Sequence, residues 1–330
     1  EMGWGGGYIV SFLIIMGISQ ILTVLNGAEI AGNIIHVSAI SVPRALAYSL
    51  VPAILFGIYV RSFGRPMFVF LLLVMFLLAT TELGTDSWIQ NIIGKVLKSP
   101  NAGTWFIVYT AAIMFVLRFC AGPIVHKISP LGLLAACAAL AAVGLYWLGN
   151  SGTSLVMLLS AATLYGCAKS FFWPTTLGTV SEQYPRGGAL LLNAMGGVGM
   201  IAVGTIGSPA IGTLQDVDFN YAVVQSAPAV HAKLVAEKHG LFSKYQYIDK
   251  AKIASAGLTT PQENELKSLE TKTSQHALAK IATLPAIMCV CYLILIAYFR
   301  SRGGYQAQVL TGHAAVDEEF TGGVPGAMEA

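Results

Sequence analysis

The sequence predicts an all-α polytopic membrane protein, and three observations carry that reading. Of 330 residues, 55% are hydrophobic and only 11% are charged, against roughly 25% charged in an ordinary soluble domain. The apolar residues come in long runs, enough as helices to cross about 30 Å of hydrocarbon. The net charge of +3 is scattered, with no Lys/Arg cluster to follow a phosphate chain. The lipid bilayer is therefore an expected partner and nucleic acid is not.

Eight runs follow in order. Span A covers residues 4–25 and contains one glutamine. Span B, 45–60, is short, and reaches spanning length if Pro43 opens its helix, as proline does at a first helical position. Span C, 67–88, begins fully apolar and ends in the polar stretch TTELGTDSW. Spans D (104–119), E (131–148) and F (154–180) precede span G (189–214), in which Gly204, Ser208 and Gly212 recur every four residues, a spacing that permits close helix approach. Span H covers 281–299. Without B the count is seven, and charge parity favours eight. Arg61, Arg65, Arg118, Lys127, Arg186, Arg300 and Arg302 then fall on one side, against Arg44, Lys95 and Lys98 on the other. The richer side is expected to be cytoplasmic, with the C-terminus inside.

Outside the spans, residues 215–276 are polar and charged and read as a solvated outer loop, with His231 and His239 in solvent. A capping box at Thr260-Pro261-Gln262-Glu263 starts a helix leading into span H. Residues 303–330 read as a disordered cytoplasmic tail. The opening EMGWGGG has neither a basic stretch nor a cleavage signature and reads as a truncation. The five cysteines form no CxxC pair, and buried free thiols are expected. No cofactor or metal motif is present.

Charge at membrane depth costs roughly 2.5–3.5 kcal/mol per group and so marks a pathway, a relay or a pair. In span C, Thr81, Thr85 and Trp88 share one helical face, and Glu82 and Asp86 the next, by their i,i+4 spacing, with Gly84 loosening the helix between them. Two readings are open: the carboxylates line a water-filled cavity and take up a proton or hold a hydroxyl-rich solute, or they reach the interface and cap the helix end. Lys169, midway along span F, cannot easily extend to water and requires a partner, for which Glu82 and Asp86 are the visible candidates. It is read either as a coupling residue or as half of a structural ion pair. Tyr165, Lys169 and Phe172 or Trp173 fall on one face, suited to a sugar ring or to packing, and Pro174 kinks the helix. Tyr109 and Asn193 are further candidates for solute contact or for interhelical hydrogen bonds.

The stretch RFCAGPIVHKISP, residues 118–130, resembles the second copy of the loop motif of the major facilitator superfamily, G-x-x-x-D-R/K-x-G. Gly122 and Lys127 match and Arg118 takes the preceding basic position, while His126 stands at the acidic position and Ser129 at the final glycine. SFFWPTT followed by a glycine-rich span is similar to the tenth and eleventh helices of the fucose, galactose and hexose proton symporters, with ELGTDSW on the seventh. The resemblance covers about residues 71–302. It implies a major-facilitator-like bundle in which residues 67–302 form the C-terminal six-helix half and residues 1–66 an inserted helix pair with its linker, the N-terminal half of the same chain being absent. It further implies alternating access to a central site for a small polar solute, coupled to protons. An intramembrane enzyme would need a catalytic constellation such as HExxH or paired aspartates, and the sequence has none. A receptor or scaffold using the outer loop is the other alternative.

Overall fold

Each apolar run becomes a helix because a chain in hydrocarbon has no water to satisfy its peptide groups, and a helix closes those bonds within the segment. The computed structural model describes residues 1–27, 40–119, 128–253 and 256–308. Within them eight helical stretches are long and apolar enough to cross a membrane. The protein is an integral, multi-pass membrane protein by this measure.

Helices α1 (Gly3–Gly27) and α2 (Val42–Val60) pack along each other. Pro43 lies in the first turn of α2, so span B is a full-length helix. Span C is one long stretch: α3 (Pro66–Ala79), a π turn at Thr80–Gly84, then α4 (Thr85–Val96). Helix α5 (Pro100–Phe119) packs on α4, and α6 (Pro130–Asn150) leads into α7 (Leu155–Lys169) and α8 (Phe172–Gln183), the two pieces of span F. Span G is likewise divided: α9 (Gly188–Ala202), a second π turn at Val203–Gly207, and α10 (Ser208–Ser226). Spans C, E, F and H share one apolar core, in which Leu72, Leu78, Leu134, Ala138 and Leu158 are fully buried. Helices α6 and α7 approach so closely that a Cβ on Gly144 would sit 2.9 Å from the backbone nitrogen of Tyr165.

Residues 215–276 depart from the expected solvated loop. Helix α10 runs on to Ser226, followed by α11 (Pro228–Leu234) and two antiparallel strands, β1 (Val235–His239) and β2 (Lys244–Ile248), with Glu237 opposite Gln246. Helix α12 (Thr260–Ile281) then leads into α13 (Thr283–Arg300). Phe219, Val223, Val230, Leu234, Ile248 and Leu266 close on one another beneath this surface. The segment is a small folded cap, and the hairpin makes the protein nearly rather than wholly α-helical. The capping box lies one residue earlier than expected, with Thr259 as N-cap and its N–H donating to Gln262 Oε1 at 3.0 Å. His239 is exposed, whereas His231 is half-buried and pairs with Asn220 at 3.0 Å.

The cap also reaches the helix pair. The carbonyl of Leu241, at the hairpin tip, accepts the N–H of Val42 at 2.9 Å, satisfying a donor left open at the start of α2. At the opposite end of the bundle, residues 303–308 of the expected disordered tail are held in place: Gln183 Nε2 donates to Gln306 O at 2.8 Å, and Tyr305 donates to Glu182 Oε2 at 2.6 Å. Residues 309–330 lie outside the described residues. Of the cysteines, Cys137 is buried, and Cys167, Cys289 and Cys291 are half-buried; all four are free. Cys120 lies outside the described residues.

Candidate substrate and coupling site

The π turn in span C decides where its polar side chains point. One extra residue per turn breaks the i,i+4 register, and Thr85 shows the shift: both its N–H and its hydroxyl reach back five residues to the carbonyl of Thr80. Glu82 and Asp86 stay close enough to act on each other, but only Asp86 pairs with Lys169. Glu82 is buried inside the turn, with Oε2 unpaired among the described residues, and the charges acting on it include Lys169, Asp86 and Arg118. Asp86, one turn further on, faces span F.

There it meets Lys169. The ammonium, on a side chain 1% exposed, donates to both oxygens of Asp86 at 2.6 and 2.7 Å, and Asp86 is 26% exposed. The ring of Tyr165 lies 5.3 Å from Nζ, and its hydroxyl donates to the carbonyl of Thr81 within the π turn. Thus the lysine, its counter-ion and the aromatic ring form one cluster linking spans C and F.

Span F breaks immediately after Lys169. Pro174 has no N–H to offer the carbonyl of Ser170, four residues earlier, and the helix is interrupted at Ser170 and Phe171. Arg118 takes up the freed acceptor, its Nε donating to Ser170 O at 3.3 Å. So Arg118, expected in a loop motif, sits in the last turn of α5 and acts on the broken helix, beside a cavity of about 400 Å³. Gly122 and Lys127 lie outside the described residues. Beyond the break, the ring of Trp173 rests against Gly199 of α9, where a Cβ would come within 3.2 Å of it.

The other side of α4 borders a second feature. Trp88, two residues beyond Asp86 and so on the opposite face, lines a cavity of about 570 Å³ between α1, α4, α10 and the hairpin. Gly204, Ser208 and Gly212 all open onto it. This small-residue strip does two things: a Cβ on Gly204 would meet nothing within 4 Å and so opens onto the cavity, whereas one on Gly212 would meet the Trp88 ring at 3.2 Å and so allows α4 to approach. Ser19, Gln20 and Asp216 add polar groups. Gln20 Nε2 donates to the carbonyl of Thr205 in the second π turn. Asp216 accepts from Tyr245 at 2.9 Å and faces Lys238 at 3.7 Å. Burial, with Asp216 beside it, pushes the Tyr245 hydroxyl up to about 12, so it remains a donor. Span A's single glutamine was a signal for this cavity in the sequence; Asp216 and Lys238 carried none.

Tyr109 and Asn193 join neither feature. Tyr109 pairs with Thr163 at 2.6 Å and ties α5 to α7, and Asn193 is exposed on α9. The two π turns touch each other, and a Cβ on Gly207 would lie 2.6 Å from Thr80 Oγ1. Among the described residues no group of three or more His, Cys, Asp or Glu converges as a metal site. No family model, curated protein or solved structure matches the chain.

Proposed function

We propose that the chain is the C-terminal portion of a secondary active transporter of the major facilitator type, which moves a small polar solute by alternating access and couples that movement to protons. The observation that carries this reading is the Lys169–Asp86 pair. An ion pair buried in a membrane bundle is a poor way to gain stability, since desolvation offsets its attraction. It makes sense as a switch. A proton arriving on Asp86 dissolves the pair, and Glu82, with an unpaired oxygen nearby, is the alternative acceptor. The two π turns and the interrupted span F supply the places where helices rotate as the site changes access.

The solute occupies the 570 Å³ cavity, whose Trp88 face and ring of hydroxyl, amide and carboxylate groups suit a hydroxylated molecule such as a sugar. Asp86 and Trp88 lie on opposite faces of α4, so a rotation of that helix links solute to proton. The arginine-rich end of the bundle faces the cytoplasm in this reading, with the C-terminus inside, and the rest of the transporter lies upstream. A receptor without transport is the second reading, favoured by the folded cap at 215–276.

The test is uptake of labelled sugars into vesicles holding the full-length protein, with and without a proton gradient, for Lys169→Ala, Asp86→Asn and Glu82→Gln. Gradient-driven uptake should be lost in the first two and weakened in the third. Unchanged gradient-driven uptake in Lys169→Ala and Asp86→Asn removes the pair from the mechanism, and no gradient-dependent uptake of any sugar by the wild type favours the receptor.

A further inference from the structure

The end of the bundle opposite the cap holds a cavity of about 820 Å³, bounded by the start of α3, the end of α8, the end of α13 and residues 304–308. Its lining has two halves. Met67, Phe70, Ile294 and Leu295 form an apolar wall, and Ile294 is itself exposed, so the cavity is continuous with the lipid-facing side of α13. Arg65 and Arg302 form a cationic rim, and neither has a carboxylate within ion-pair distance among the described residues.

The rim is arranged rather than loose. Arg65 lies over the ring of Tyr184 at 5.7 Å, and Arg302 over that of Tyr298 at 4.7 Å. Such stacking holds the guanidinium planes while leaving their N–H edges free. Residues 303–308 form a fixed wall, since Gln308 N donates to Glu182 O at 2.9 Å in addition to the Gln183 and Tyr305 contacts. Two cations without an ion-pair partner among the described residues, above an apolar wall, match a molecule with an anionic head and hydrocarbon tails.

We infer that this cavity binds an anionic phospholipid, its phosphate between Arg65 and Arg302 and an acyl chain along Phe70 and Ile294. Basic pockets between membrane helices at an interface take lipid headgroups in this way. A free phosphate would use the rim but leave the apolar wall bare. The site shares no residue with the Lys169 cluster or the Trp88 cavity, so the inference stands whether or not the chain transports a solute.

The experiment is native mass spectrometry of the full chain exchanged into dioleoylphosphatidylglycerol or dioleoylphosphatidylcholine, with inorganic phosphate as competitor. The wild type should retain the anionic lipid over the zwitterionic one. The double variant Arg65→Ala/Arg302→Ala should bind the anionic lipid about thirtyfold more weakly, roughly a factor of five for each cation. Arg65→Lys/Arg302→Lys should keep most of the affinity, which separates lost charge from a damaged fold. Equal retention of the two lipids by the wild type overturns the inference, as does undiminished binding in the alanine variant. Ready displacement of the lipid by inorganic phosphate overturns it in favour of a simple anion site.

Discussion

Lys169–Asp86 and Lys250–Glu270 have the same 2.6 Å contact, and they differ in almost everything else. The first joins spans C and F, with a lysine withdrawn from solvent. The second lies in the cap, where Glu270 also accepts from Lys95 at 2.7 Å and both lysines remain exposed to water. In the cap, each lysine returns to water when its partner leaves, and such pairs are worth about 0–1 kcal/mol. In the bundle, Lys169 has no water to return to, although Asp86 keeps a partly exposed edge. Distance alone therefore says little about what an ion pair does; the medium decides.

Breaking each pair one partner at a time makes the contrast measurable. Lys169→Ala leaves the partly exposed Asp86 without its cation and should cost about 3 kcal/mol, the low end of the penalty for unpairing a buried charge. Lys169→Met with Asp86→Leu removes both charges and should recover most of that loss while gradient-driven uptake stays abolished. Thermal unfolding of the single and double variants in detergent checks this. Loss of stability in the double variant as large as in the single would mean that the pair is structural rather than a coupling device.

A smaller effect is expected where the bundle bends. Gly207→Val places a side chain against Thr80, at a contact of the two π turns that already leaves only 2.6 Å for a Cβ. Overpacking there should cost about 1–3 kcal/mol. Gly204→Ala, one turn away in the same π segment, meets open space and should be near neutral. Equal unfolding temperatures for the two variants would show that the turns do not depend on this contact.

These sites also mark what was legible in the sequence. Hydrophobic run length located all eight spans found among the described residues, and Pro43 correctly extended the marginal one, because helix formation in hydrocarbon is a local necessity. Lys169 stood out for the same reason, and the carboxylates named for it included its partner, Asp86. What failed was geometry that depends on neighbours. The π turn in span C was not visible, because it accompanies a contact between Thr80 and Gly207, far apart in the chain. Gly204, Ser208 and Gly212 have the spacing of a packing strip, and only the positions of α1 and Trp88 reveal it as the wall of a cavity as well. The hairpin was hidden because VAEKH and KYQYI are only five residues each, and Ile248 gains its packing partners only once Phe219 and Leu266 arrive to meet it.

The smallest expected effect lies on the cap, and it sharpens the comparison from the other side. Lys280 pairs with Asp218 and Lys250 with Glu270, and both lysines are exposed to water. Alanine at either lysine should lower stability by no more than about 1 kcal/mol. Raising ionic strength from 0.1 M to 1 M shortens the screening length from about 10 Å to about 3 Å and should erase that difference. The Lys169→Ala deficit should persist in the same salt, because ions do not enter the bundle to screen it. A deficit at Lys169 that fades with salt as the cap's does would mean that water reaches the pair, and the cluster would then be an open vestibule rather than a sealed switch.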